Sequence, residues 1–347
     1  MKSRPHAART RRTPRAFGRL ALAGAVAGAV ALSGCSGTSA DPGTSGEGSA
    51  AEVTSIRLVV APIQFETAYI ARDEGYFAEQ GLDVEIIPGG APQQNAAMAV
   101  SGEADIITGS WGMAITANQQ GLPLKVIAGN GRSSTDVAQA AGALMVNAGS
   151  DIQTLEELRG ATIGVQGLNT GSEVGLYLAL QSVGIAPDDV TLIELASSAM
   201  PTAIDENTVD AVLVSNPFYQ QMVAAGQRAI SHPTEEFIGG GPITVWTVTD
   251  NWLTTHADVA EKFVAAMRQA DAFYMDPANM DAVMDVTAEY SAVDRASLDP
   301  AGYAPMGVDI NIVPATLARD SYIEFGIVDD APPVDELLWA DAPRTDS

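Results

Sequence analysis

Residues 56–87 read IRLVVAPIQFETAYIARDEGYFAEQGLDVEII, and the fold class follows from this stretch. Ile56-Arg57-Leu58-Val59-Val60 is rich in β-branched residues and alternates in character, which is the pattern of a strand, and Ala61-Pro62 ends it. Thr67 to Asp73 has helical character, and Gly81 is a helix stop. Asp83-Val84-Glu85-Ile86-Ile87 is a second alternating strand, closed by Pro88-Gly89-Gly90. Strand, helix and strand in this order are the start of an α/β fold with a parallel sheet.

The alternation continues downstream. A helix is expected over Gln93–Val100, a short strand at Ile106-Ile107, a loop at Gly109-Ser110-Trp111-Gly112, a helix over Met113–Gln120 and a strand over Leu124–Ala128. A second set follows. It has strands at Leu144–Val146, Thr162–Val165, Val190–Glu194 and Val209–Val214. Its helices are expected at Thr154–Leu158, from the Gly-rich loop Gly167–Ser172 to about Val183, at Pro201–Asn207 and at Pro217–Ala225. Two α/β lobes are therefore expected. They echo each other locally: Gly102-Glu103-Ala104-Asp105, an apolar strand and Ser110-Trp111 in one match Asn207-Thr208-Val209-Asp210, an apolar strand and Ser215-Asn216-Pro217-Phe218 in the other. Chance similarity between α/β units explains the echo equally well. Beyond Thr249 the pattern turns helical. Val259, Phe263, Ala266, Met267, Ala270 and Phe273 lie on one face of a long helix over Ala257–Met275, and further helices are expected over Pro277–Tyr290 and Pro314–Phe325.

Upstream of the first strand the composition changes. Residues 1–19 carry seven Lys and Arg and no acid, and residues 20–32, LALAGAVAGAVAL, are apolar. That run is too short for a membrane span, which takes about 20 residues, and suits a secretory signal peptide. It leads into Leu32-Ser33-Gly34-Cys35, which resembles a lipobox and implies that Cys35 carries the lipid. Residues 35–51 are Ser/Gly/Thr-rich, cannot bury enough apolar surface to order themselves, and read as a flexible tether. The expected product is exported and held by lipid on the outer face of the cell membrane.

Removal of residues 1–34 takes away seven of the 18 basic residues and none of the 43 acidic ones, leaving a net charge of −32. Such a chain does not suit nucleic acid, whose phosphates require clustered cations. One cysteine permits no disulfide within the chain, so stability rests on a core.

Ligands of open α/β sheets bind beyond the carboxyl ends of the strands. The candidate binding residues are therefore Gln64, Phe65, Ser110, Trp111, Asn130, Asn169, Thr170, Ser172, Asn216 and Phe218, all on loops after strands. They are neutral hydrogen-bonding groups and aromatic faces, which describes a pocket rather than a reaction centre. The Gly167–Ser172 loop supports two readings: an anion site at a helix N-terminus, or side chains that cap their own helix. Trp111 is equally a ligand-stacking residue or a core residue. Arg132 reads as solvated rather than as a ligand partner, and Asp105 and Asp210 as turn or cap residues. His232 and His256 lack zinc spacing, and neither a G-x-S-x-G elbow nor a Walker A loop is present. No enzyme activity, cofactor or metal is expected.

Four segments carry a family resemblance. Residues 74–84 (EGYFAEQGLDV), 101–106 (SGEADI), 155–165 (LEELRGATIGV) and 209–217 (VDAVLVSNP) resemble, in order and spacing, elements of ABC-importer solute-binding proteins. The similar branch includes aliphatic-sulfonate, taurine, nitrate and thiamine-pyrimidine binders. The resemblance covers about residues 55–220. It implies a type II periplasmic-binding-protein fold, with two α/β lobes and a ligand cleft between them. Lobe one would hold residues 52–145 and 245–347 and lobe two 146–244, with crossings near Ala143–Ala148 and Gly239–Thr247. It implies a monomer that binds a small sulfonate, nitrate or thiamine-pyrimidine solute and meets an ABC permease and ATPase. A pyrimidine-synthase-like enzyme and a sensor ectodomain are the alternatives. The cysteine-rich motif of the synthases is missing here.

Overall fold

Strand β1 (Thr54–Val60) buries Leu58, Val59 and Val60 because it has a neighbour on each edge and cover on both faces. The computed structural model in which it lies describes residues 53–346 apart from 62, 63, 91, 118, 168–170, 217, 292 and 293. The expected signal peptide and tether, with Cys35, lie outside the described residues, as do Asn169 and Thr170. β1 pairs in parallel with β2 (Leu82–Pro88), with Ile56 opposite Val84 and Leu58 opposite Ile86. Between them run α1 (Glu66–Asp73) and α2 (Tyr76–Glu79), the crossover that parallel strands require. After α3 (Pro92–Ser101), β3 (Ile106–Ser110) pairs with the other edge of β1. Then come α4 (Trp111–Ala117) and β4 (Leu124–Gly129).

The chain next changes sheet. β5 (Gly142–Val146) belongs to a second five-stranded sheet with β6 (Thr162–Val165), β7 (Thr191–Glu194), β8 (Ala211–Ser215) and β9 (Arg228–Ser231), in the order β7-β6-β8-β5-β9. β6 is parallel to β7 and β8, while β5 runs antiparallel to both β8 and β9. Helices α5 (Gly171–Ser182), α6 (Met200–Asp205), α7 (Phe218–Ala224) and α8 (Pro233–Ile238) accompany these strands. β10 (Thr244–Thr249) then returns to the first sheet and inserts antiparallel between β3 and β4, which completes the order β2-β1-β3-β10-β4. Two sheets of matching design, each holding one antiparallel strand beside parallel ones, make the two lobes of the fold.

The expected lobe boundary at 145/146 falls inside β5, whose pairing begins at Gly142, so the first change of sheet occupies residues 130–141. The second occupies residues 232–243. The two crossings run side by side. Arg132 bridges Pro242, Ser133 N–H donates to Gly241 O at 3.0 Å, and Gly240 N–H donates to Ser133 O at 3.1 Å. A third segment closes on them, with Gly131 bridging Met306 and Arg132 N–H donating to Pro305 O at 2.9 Å.

The helical C-terminal part packs mainly on the first sheet. Helix α9 (Asp250–Met275) buries Val259, Phe263, Ala266, Met267, Ala270 and Tyr274, close to the expected stripe. It begins seven residues before Ala257 because Thr249 caps it by accepting from Trp252 N–H; a kink at His256 separates this added turn from the rest. Trp246 of β10 is fully buried, edge-on to Phe65 at 5.2 Å and to Phe263 at 5.3 Å. Helix α10 (Met280–Ser291) follows a single 3-10 turn at Pro277–Asn279. After the two-residue strand β11 (Ile310–Asn311) come α11 (Ile312–Glu324) and α12 (Val334–Leu337). Among the described residues no helix is long and apolar enough to cross a membrane.

Candidate ligand cleft

The loops that follow β1, β3 and β4 leave the first sheet where β10 enters it, and those after β6 and β8 leave the second sheet toward the crossings. Asn130 stands at the centre of the first group. Its Oδ1 accepts from Thr67 Oγ1 at 3.0 Å, and its Nδ2 donates to Gln64 O at 2.8 Å and to Thr244 Oγ1 at 2.9 Å. With 1% exposure and three side-chain hydrogen bonds, Asn130 holds the loop together. The bond to Gln64 O secures a backbone at φ 67°, unusual for a residue with a side chain. Gln64 itself remains exposed at the mouth.

Phe65 and Trp111 are core residues at 5% and 3% exposure. The Trp111 indole N–H donates to Ala315 O of α11 at 3.2 Å, so this ring fastens α11 to α4. Ser110 caps α4 by accepting from Met113 N–H at 3.0 Å. Phe218 starts α7 and packs, half-buried, against the core of the second lobe. Ser172 is the second residue of α5.

Asn216 differs from all of these. Its backbone N–H donates to Ala141 O at 2.8 Å, tying it to the first crossing. Its side-chain Oδ1 and Nδ2 are shielded from solvent, and neither has a hydrogen-bond partner among the described residues. Leaving a buried polar group unpaired costs about 1–3 kcal/mol. The amide lies against Gly302, where a Cβ would stand 3.5 Å from Nδ2. On either side of Gly302 in the chain, Pro300 and Tyr303 join Gln139, Tyr274, Met280 and Met284 in lining a cavity of about 470 Å³. None of the ten residues singled out from the sequence lines it among the described residues.

Buried acids near the cleft were not singled out from the sequence. Glu66, in the first turn of α1, is 7% exposed; burial pushes its carboxyl pKa up, and the Thr287 hydroxyl donates to it at 3.3 Å. Tyr303 in turn donates to Thr287 at 2.8 Å. Glu173, in the first turn of α5, is 3% exposed and accepts from the Tyr177 hydroxyl at 3.4 Å. Burial first, then Glu173, pushes that hydroxyl up to about 12. Adjacency to Phe65 placed Glu66 on a candidate loop, but its burial depends on α10, more than 200 residues away in sequence.

The cations lie elsewhere. Arg57 pairs with Asp105, Arg159 with Asp189 and Arg268 with Asp309. Desolvation pushes the Asp105 carboxyl up, but Arg57, which donates to both its oxygens, more than offsets this and holds it low, so Asp105 clamps two strand starts instead of serving as the turn or cap residue expected. Arg132 is the one Lys or Arg on the loops after the strands, and its guanidinium packs on Gly307.

The sequence profile described as NMT1/THI5 like matches residues 63–279. The chain belongs to that family. A curated relative, riboflavin-binding protein RibY of Chloroflexus aurantiacus, is 27% identical over 164 residues, which is 46% of this chain and 45% of the relative; the match thus spans under half of either protein. Among solved structures, the periplasmic aliphatic sulphonate binding protein SsuA from Escherichia coli superposes with a TM-score of 0.70 at 15% identity, over 83% of this chain and 98% of that one. The desulfurization enzyme DszB superposes with a TM-score of 0.56 at 14% identity, over 84% and 96%. At these identities the likeness is one of fold, that of the two-lobed periplasmic binding proteins.

Proposed function

We propose that the chain is the solute-binding component of an ABC importer, exported by the signal in residues 1–34, anchored through Cys35 and working as a monomer. The observation that carries this is the pairing of two similar sheets through two adjacent crossings, toward which the loops after the strands are gathered. Two crossings of a dozen residues each constrain the lobes to a hinge motion. A solute that contacts both lobes favours the closed form by its differential affinity, and the permease reads closure. Lobe one in this reading is the first sheet with α9 to α12, and lobe two the second sheet with α5 to α7, while α8 lies in the second crossing. The family signature and the periplasmic fold support export and transport.

The solutes to test are the sulfonate, nitrate and thiamine-pyrimidine classes, with riboflavin added by the relative's name. Thermal unfolding of the full chain against such a panel checks the reading. A ligand at 100 times its dissociation constant raises stability by about 2.7 kcal/mol, and it should be recovered unchanged. Recovery of a converted compound would favour the enzyme reading, which the DszB fold keeps in view. In cells, Cys35→Ser should move the chain from the membrane to the soluble fraction; retention on the membrane would overturn the lipid anchor.

A further inference from the structure

We propose that Met275 is an oxidation site, and that its sulfoxide tightens the segment Ala304–Gly307 against the first crossing. Arg132 N–H donates to Pro305 O at 2.9 Å and Gly307 N–H donates to Asn130 O at 2.7 Å, so residues 305 and 307 face the crossing. Successive residues of an extended chain point opposite ways, which turns the Met306 N–H away from the crossing. It donates to the Met275 sulfur at 3.4 Å. The neighbouring Tyr274 hydroxyl donates to Ala304 O at 3.3 Å. The last turn of α9 thus holds the outer edge of the segment, and one of these holds is a thioether, a weak acceptor.

Met275 is also the accessible methionine. At 46% exposure it is the one exposed methionine among the described residues; Met98 and Met280 are half-buried and the others buried. A peroxide therefore reaches its sulfur without any opening of the core. In the reaction a sulfur lone pair attacks one oxygen of hydrogen peroxide, the O–O bond breaks, and the proton left on the new S–O group goes to the departing hydroxide. Thioether and peroxide give sulfoxide and water; sulfur gives up an electron pair and peroxide is reduced. The apolar side chain becomes polar, and its new oxygen accepts hydrogen bonds more strongly than the sulfur did. That oxygen needs space between the sulfur and the Met306 N–H. Methionine is unbranched and flexible, and Met275 lines the cavity of about 470 Å³ with Met280 and Met284. The sulfur can retreat into this space while the oxygen takes the N–H, so the weak hold becomes a strong one.

No solute is needed to test this, so its failure and that of the receptor reading are separate. The full chain is titrated with hydrogen peroxide, the oxidised positions are located by peptide mass spectrometry, and amide exchange is followed at residues 130–132 and 304–307. Met275 should gain oxygen before Met98 and Met280. Exchange at Met306 should then slow by about fivefold, with Arg132 and Gly307 slowing in step, and methionine sulfoxide reductase should restore the parent rate. Met275→Leu conserves volume and should lose both the early oxidation and the slowing. Met275→Gln sets an amide oxygen at similar reach and should slow exchange with no oxidant present; it also serves as the second variant if the melting curve of Met275→Leu shows that it does not fold. Oxidation of Met98 or Met280 ahead of Met275 would overturn the site. Met275 sulfoxide with unchanged or faster exchange at Met306 would overturn the tightening.

Discussion

Asp271 carries the clearest pH signature of any single residue. It lies on α9 at 6% exposure, and neither carboxylate oxygen has a side-chain hydrogen-bond partner among the described residues. Burial is the largest cause that pushes its pKa up, to about 8; Val308 N–H, Arg132 and Arg268 pull it down, and Asp309 pushes it further up. A raised acid holds its proton in the folded chain over a range where the unfolded chain has lost it. Stability therefore declines as pH rises from about 4 to about 8 and levels off above that. Asp271→Asn removes that slope, and at pH 8 it should stabilise the chain by an amount on the order of a few kcal/mol. Urea unfolding at pH 5 and pH 8 checks this; a variant with the slope of the parent would show that Asp271 ionises freely. The same scale explains what could be read in advance. Asn130 was recognisable as a polar residue after a strand. Its occupation by Thr67, Gln64 and Thr244 was not, because Thr244 lies 114 positions away and arrives through the second crossing. Asn216 looks the same in sequence, and its side chain has no hydrogen-bond partner among the described residues. Residue type and loop position cannot separate a saturated amide from an orphaned one.

At the scale of elements, local pattern served well wherever one strand alternated with one helix. It failed at β10. Every residue of Thr244–Thr249 except Trp246 is β-branched, a strong strand signal. The preceding Gly239-Gly240-Gly241 made the region read as connection, and the strand's place between β3 and β4 is a long-range fact. The helix α8 and strand β9 went unread for the same reason, being short and set among turns. Helix α11 was expected, but its role was not. It takes the Trp111 indole bond from one lobe and, at its other end, Gln181 donates to Glu324 at 2.6 Å from the other. Gly112 of α4 lies close against α11, since a Cβ there would overlap the buried Tyr322 hydroxyl. Gly112→Ala should therefore cost about 1–3 kcal/mol, despite alanine being the better helix former. Amide exchange in α11 should accelerate in the variant, and faster exchange confined to α4 would separate a local effect from loss of this contact.

At the scale of the whole molecule, α11 sets a constraint on hinge motion that the two crossings alone do not. Its last turn meets α5 through Phe325 and Tyr177, whose rings lie 5.2 Å apart at 57°. Val174 of α5 belongs to the core that α11 shares with the first sheet. Besides the two backbone crossings, the lobes are thus joined by side-chain contacts, this ring pair among them. Backbone crossings permit rotation, whereas a packed ring pair must be broken or carried along. An aromatic pair contributes about 1 kcal/mol beyond its buried area, so losing it shifts a two-state lobe equilibrium roughly fivefold. Phe325→Ala should accordingly raise the radius of gyration of the ligand-free chain in small-angle scattering, while saturating ligand restores the compact form. Because the mean stability of each lobe does not depend on this contact, the melting temperature should fall by only a few degrees. An unchanged radius with and without ligand would mean that α11 rides on one lobe and that the ring contact breaks freely. The hinge would then be set by residues 130–141 and 232–243 alone.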